Sequence, residues 1–180
     1  MADFLQADKY TDANEGGYCN VPGDDGGETY AGLTRRDNPE PAIWAIIDSH
    51  KPLKWNQVIK DPVLDGLLND LFKRKYWDHI QGDAITNQAL ATYLYDWYIN
   101  SGTVAVKKLQ EVLFIEEDGI IGPGTLEAIN NQKPESGLLL RYYMRRCRWY
   151  RDHVVAVPAH EKFLIGWLDR ARRLYNELSK

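Results

Sequence analysis

The sequence is poor in the residues that build metal centres and disulfide frameworks. Its two cysteines, Cys19 and Cys147, lie far apart and in no ligand-like spacing. They permit one disulfide but do not imply it. Four histidines (His50, His79, His153 and His160) form no HExxH or paired-ligand pattern, which argues against a zinc enzyme. No metal and no cofactor is expected. The opening MADFLQADKY lacks a basic start followed by an apolar run, so no secretory signal peptide is read. No segment reaches the roughly 18 uninterrupted apolar residues of a membrane span. Low-complexity linkers are absent as well. The expectation is a protein made in the cytoplasm that leaves it, if at all, by another route.

What is present fits a soluble globular chain. With 180 residues there is room for one domain, or for two small ones sharing an interface. Six Trp and eleven Tyr are many for that length. Aromatics form cores first, but they also line clefts for sugars and other flat ligands. Charge is unevenly spread: residues 141–180 carry ten Lys/Arg against four Asp/Glu, whereas the first 140 carry twelve against twenty-two. The basic end suits an anionic polymer or a membrane surface, and it equally suits the solvated face of two amphipathic helices. Nucleic acid is not an expected partner, because the chain is acidic overall and has no recognised nucleic-acid motif.

Helical spacing dominates. Val63, Leu64, Leu67, Leu68, Leu71 and Phe72 form one stripe, with Asp61-Pro62 as cap and first turn. Leu90, Leu94 and Trp97 mark a helix that should end near Asn100-Ser101-Gly102. Leu140, Tyr143, Met144, Cys147 and Tyr150 mark another, with Arg141, Arg145 and Arg148 on a separate face. After Pro158, Leu164, Trp167, Leu168, Ala171, Leu174, Tyr175 and Leu178 keep a 3-4 spacing. Asn38-Pro39 should open a shorter helix through Ile43, Trp44 and Ile47. Only residues 16–34, crowded with glycine, break this pattern and suit a hairpin or wide turn.

That break begins with a carboxylate. If the first helix runs from Asp3 to about Asn14, Glu15 sits at its C-terminal end, where Gly16 and Gly17 stop it. The helix macrodipole is unfavourable to an anion there, so the proton affinity of Glu15 should rise. A general acid working near neutral pH needs that property. The plainer alternative is a surface glutamate beside a glycine cap. Asp24, Asp25, Thr29 and Thr34 follow on a segment that must fold back near the helix end. Glycoside hydrolysis asks for such a second group, to hold water or to act as nucleophile on the far face of the sugar.

The succession Glu15-Gly16-Gly17-Tyr18, then Asp25-x-Gly27 through Thr29, then Gly32-Leu33-Thr34, resembles the glycoside hydrolase family 108 muramidases. These are lysozyme-like proteins, often described as secretion activators or phage-type endolysins. The resemblance implies that Glu15 is the catalytic acid, and it leaves Asp24 and Asp25 both in play as the residue facing the cleft. A second stretch, residues 105–129, is similar to a peptidoglycan-binding signature through Leu109-Gln110, Asp118-Gly119, Gly122-Pro123 and Thr125. Asp118-Gly119 reads as a tight turn and Gly122-Pro123 as a helix start, so these residues also suit plain scaffold. Asp96 and Asn100, with Gly102, resemble the family's join between its two parts.

Together these resemblances imply a mainly α, lysozyme-like helical fold with a small β-hairpin or loop excursion after the first helix. Residues 1–92 would be the catalytic region and residues 93–180 a helical peptidoglycan-binding region packed against it. The implied activity is cleavage of the β-1,4 bond between N-acetylmuramic acid and N-acetylglucosamine, with Glu15 as acid and Asp25 or Thr29 in support. Tyr18, Thr34, Asp96 and Asn100 are substrate-binding candidates, as are Tyr76 and Trp77, which suit a sugar cleft or the core equally. The alternatives are a lytic transglycosylase and a non-catalytic wall-binding or secretion-assisting protein. The expected partner is the peptidoglycan glycan strand. A holin-like or export partner follows from the family resemblance and the missing leader, for action on the wall in the periplasm or outside.

Overall fold

The apolar spacing becomes helix along most of the chain. The structure is a computed structural model and describes residues 1–12, 16–20, 27–132 and 135–180. Among the described residues are eight α-helices and one antiparallel hairpin. Their order is α1 (Phe4–Asp12), β1 (Thr29–Tyr30), β2 (Leu33–Thr34), α2 (Pro41–Ser49), α3 (Pro62–Phe72), α4 (Gln88–Ser101), α5 (Thr103–Leu113), α6 (Pro123–Asn130), α7 (Glu135–Ala156) and α8 (Leu164–Leu178). The fold is thus mainly α with a small β excursion after the first helix, as the sequence implied. No described helix is long and apolar enough to cross a membrane. The backbone divides into two compact units, Met1–Ala7 with Lys75–Lys180, and Asp8–Arg74.

The larger unit is built around α4. Residues 90–97 of this helix are buried without a break, so it behaves as a core helix rather than an amphipathic one. Asn87 caps it, accepting the Leu90 N–H at 2.8 Å. Helices α5, α7 and α8 pack on it. The Tyr142 hydroxyl donates to the Ala105 carbonyl at 2.8 Å, which ties α7 to α5. At the centre lies an ion pair. Asp96 Oδ2 accepts from Arg146 Nη1 at 2.7 Å, and both side chains are 0% exposed. Asp96 Oδ1 accepts from Arg170 Nε at 3.0 Å and Nη2 at 2.7 Å. Three aromatic rings, Tyr93, Trp97 and Tyr150, surround the Arg146 guanidinium at 5.2–5.5 Å.

Arg146 corrects the face assigned to α7. Its core side is Leu138, Leu139, Tyr142, Arg146 and Tyr150, whereas Leu140 and Met144 are exposed. The helix exists where the spacing placed it, but an arginine, not Met144, occupies its inner face. Both cysteines are free thiols.

The smaller unit holds the hairpin, α2 and α3. Thr29 pairs with Thr34 and Tyr30 with Leu33. The two residues between them, Ala31 and Gly32, both have positive φ (47° and 72°), the twist that a two-residue hairpin turn demands. Helix α2 opens at Pro41 with Glu40 as cap, two residues later than Asn38-Pro39 suggested. Asn38 instead uses its carbonyl to accept the Trp44 indole N–H at 2.7 Å. Asp61 caps α3 as expected, accepting from the N–H groups of Val63 and Leu64 at 2.8 and 3.2 Å. Past Phe72 the chain runs on through a π-helical turn, Lys73–Trp77.

Removing Asp96 leaves Arg146 buried without its counter-ion, whereas removing Arg146 leaves Asp96 paired with Arg170 alone. Asp96→Asn should destabilise the protein by about 3–5 kcal/mol in chemical denaturation, and Arg146→Met should cost less because Arg170 still holds the carboxylate. Asp96→Leu combined with Arg146→Met should recover much of the Asp96→Asn loss, since the part-exposed Arg170 can turn to solvent.

Candidate active site

Glu15, Asp24 and Asp25 lie outside the described residues, so the site is built from Gly16 onward. The segment after Glu15 is held from both sides. Gly17 N–H donates to Asn56 Oδ1 at 2.7 Å, Tyr18 N–H to the Gln57 carbonyl at 2.9 Å, and Asn56 N–H to the Tyr18 carbonyl at 2.7 Å. On the other side Cys19 and Thr29 exchange both backbone bonds at 2.8 Å. A Cβ on Gly17 would lie 2.4 Å from the Gln57 carbonyl oxygen. Glycine is therefore required at 17 by close approach of two backbones. It is not required by a left-handed φ, which Gly17 does not have.

A carboxylate that local sequence patterns do not single out organises this region. Glu28 has a side chain only 13% exposed. It accepts the Tyr18 hydroxyl at 2.8 Å, Arg35 Nη1 at 2.7 Å and Lys51 Nζ. Arg35 also grips Asp48 through two bonds at 2.9 and 2.8 Å and lies 5.0 Å over the Trp44 ring. Two cations thus face two anions across the base of the hairpin. Burial alone would raise the Glu28 pKa. Hydrogen bonds from Lys51, Arg35 and Tyr18 outweigh it and hold the group below the usual glutamate range. Burial and the bond to Glu28 push the Tyr18 phenol upward. Glu28 therefore stays ionised at neutral pH and is unsuited to donate a proton; it anchors Tyr18. Nothing in its local spacing points to Lys51, so the sequence offered no signal.

The structure brings Tyr18, Thr29 and Thr34 together in the smaller unit. Thr29 Oγ1 donates to the Gly27 carbonyl at 3.2 Å. Thr34 Oγ1 donates to Asp37 Oδ2 at 2.7 Å and closes a turn. Beside Gly16 and Gly17 opens a hollow of about 400 Å³, walled by Tyr30, Val58, Leu68 and Asn69, with the exposed Asp65 among its lining. Asp65 and Asn69 sit one turn apart on the polar side of α3, a placement that amphipathic spacing shows only once the hollow is known.

The remaining candidates belong to the larger unit. Trp77 is fully buried, edge-on to Phe4 and Tyr95, and its indole N–H donates to Asp83 at 2.7 Å. Tyr76 is half-buried with Lys75 Nζ 5.5 Å from its ring. Asp96 has no exposed surface, and its carboxylate is engaged by Arg146 and Arg170. Asn100 is exposed and donates through Nδ2 to the Asp96 carbonyl at 2.6 Å. The motif around Gln110 closes on itself. The two protons of Gln110 Nε2 are shared among Asp118 Oδ1 at 2.7 Å, the Ile120 carbonyl at 3.0 Å and Thr125 Oγ1 at 3.2 Å, while its Oε1 accepts Gly119 N–H at 2.8 Å. Among the described residues no group of three or more His, Cys, Asp or Glu is placed to hold a metal ion.

Because the Glu28 pKa is depressed in the folded protein, its contribution is complete above the unfolded glutamate value and is lost as pH falls through the folded one. Glu28→Gln should therefore be less stable than the parent by about 1–3 kcal/mol near pH 7. The gap should close below about pH 4 in denaturation curves taken across pH.

Comparison with known proteins fits this geometry. Residues 9–102 match the family model Glycosyl hydrolase 108, a span that includes Glu15 and the Glu28 anchor. Residues 104–172 match the Predicted Peptidoglycan domain, which contains the Gln110 knot. The solved structure of Brucella abortus SagA is similar, with 26% identity and a TM-score of 0.69 over 97% of this chain and 92% of that one. No curated protein matches. The chain belongs to glycosyl hydrolase family 108 and has a lysozyme-like helical fold, with a peptidoglycan domain following the hydrolase region.

Proposed function

We propose that the protein hydrolyses the β-1,4 bond between N-acetylmuramic acid and N-acetylglucosamine in peptidoglycan, with Glu15 as the general acid. The observation that carries this reading is an intact glutamate at the head of E-G-G-Y inside the matched glycosyl hydrolase span. Support comes from the segment that follows it. Residues 17–19 are fixed by backbone bonds to Gln57 and Thr29 and by the Tyr18–Glu28 contact, so the second half of the motif is held in place. Positioning of this kind is what converts a carboxyl group into a catalyst.

In the reaction Glu15 protonates the glycosidic oxygen as the C1–O bond breaks. Water then adds to the anomeric carbon from the opposite face, and its proton leaves to a base. Asp25 and Thr29 are the groups assigned to hold that water. The Thr29 hydroxyl donates to the Gly27 carbonyl, so its oxygen can serve water as an acceptor. The peptidoglycan domain keeps the enzyme on the wall, and a holin-like or export partner delivers it there.

Glu15→Gln keeps the shape of the side chain and removes the acidic proton. Clearance of cell-wall suspensions should slow by about 10²–10⁴ with an unchanged melting temperature. Clearance at the parental rate would mean that Glu15 is not the acid, and no clearance by the parent itself would favour a wall-binding protein without activity.

A further inference from the structure

One face of the larger unit carries positive charge that the fold only partly compensates. Arg141, Arg145, Arg148 and Arg151 follow one another along α7 and line a groove of about 850 Å³, with Met144 and Val112 of α5 supplying apolar wall. Like charges three and four residues apart destabilise a helix by about 0.2–0.5 kcal/mol per pair. Local compensation is partial. Arg145 Nε binds Glu111 at 2.7 Å, yet its Nη1 is buried without an acceptor among the described residues. Arg141 donates to the neutral Gln132 at 2.8 Å. Arg148 stands 3.8 Å from Asp152, and both are well exposed (76% and 62%), so that pair contributes little. Two carboxylates against four guanidiniums leave the groove positive.

We infer that this groove binds the acidic stem peptide of peptidoglycan. The inference rests on the wall being the protein's substrate and adds a second part of that polymer to the glycan strand. A stem peptide carries alanine methyls beside free carboxylates, and the groove offers apolar wall beside guanidiniums. The lengths agree. From Arg141 to Arg151 the helix rises about 15 Å at 1.5 Å per residue. An extended peptide of four to five residues covers about 13–17 Å at 3.3 Å each. Arginine fits such a ligand because its planar fork takes a carboxylate through two parallel bonds. The Gln110 knot, whose polar atoms bond to one another, sets the shape of the domain and leaves recognition to this surface.

The test is titration of the full-length protein with a soluble tetrapeptide stem, followed by calorimetry or fluorescence. The parent should bind the peptide, more weakly as salt rises. Arg148→Glu combined with Arg151→Glu should weaken binding at least about tenfold, as should amidation of the peptide carboxylates, each being a loss of charge-assisted bonds. Arg148→Lys with Arg151→Lys should bind between the two, and all variants should share the parental melting temperature. Equal binding by the double glutamate variant would overturn the proposal. So would absence of peptide binding, or a groove that takes a phosphate-bearing wall polymer or anionic vesicles in place of the peptide. No bond is cleaved in this measurement, so it succeeds or fails independently of whether the parent clears cell walls.

Discussion

The Asp96–Arg146 pair is the constraint on which the larger unit depends. Two opposite charges with 0% exposure hold α4 against α7, and Arg170 brings α8 to the same carboxylate. Burial by itself would neutralise Asp96, but the two guanidiniums keep it ionised below the usual aspartate range. The arrangement has one acceptable rotation of α7. With Arg146 turned inward, a helix advancing about 100° per residue puts residues 141, 145, 148 and 151 on the outer half. The buried ion pair therefore also sets the basic groove, and the interior and the basic face follow from one choice of helix face.

Charge is handled differently in the smaller unit. Glu28 and Asp48 meet Arg35 and Lys51 around the base of a hairpin too short to be stable alone. Tyr18 joins this cluster through its hydroxyl, and its backbone bridges to Gln57. The segment from Gly16 onward depends on such support, because its two glycines contribute no side-chain contacts of their own. The motif E-G-G-Y thus divides its roles among its residues. Glu15 is the proposed acid, Gly17 makes a backbone contact that a side chain would block, and Tyr18 provides the anchorage.

Legibility in the sequence followed the range of the interaction. Helices with their own period, such as α3 with its Asp61 cap and α8 with its 3-4 apolar spacing, were readable because the signals lie within a few residues. The hairpin was readable from its glycines. The inner face of α7 was not, since hydrophobicity favours Met144 and Leu140, and burying Arg146 makes sense only beside Asp96, fifty positions away. Glu28 escaped for the same reason, its cation Lys51 lying beyond α2. Asn38-Pro39 and Glu40-Pro41 offer two starts for one helix, and the packing of Trp44 onto the Asn38 carbonyl chooses the second. The peptidoglycan signature was recognisable as a pattern, and its role as a hydrogen-bonded scaffold emerged from Gln110 meeting Asp118, Gly119 and Thr125 at once.

The bond that is broken defines the enzyme, and the new chain ends report it. Purified cell walls digested with the protein should release fragments that end in reducing N-acetylmuramic acid, as identified by mass spectrometry after borohydride reduction. Fragments ending in 1,6-anhydromuramic acid, fragments with reducing N-acetylglucosamine ends, or no release at all would contradict hydrolysis at the muramyl bond.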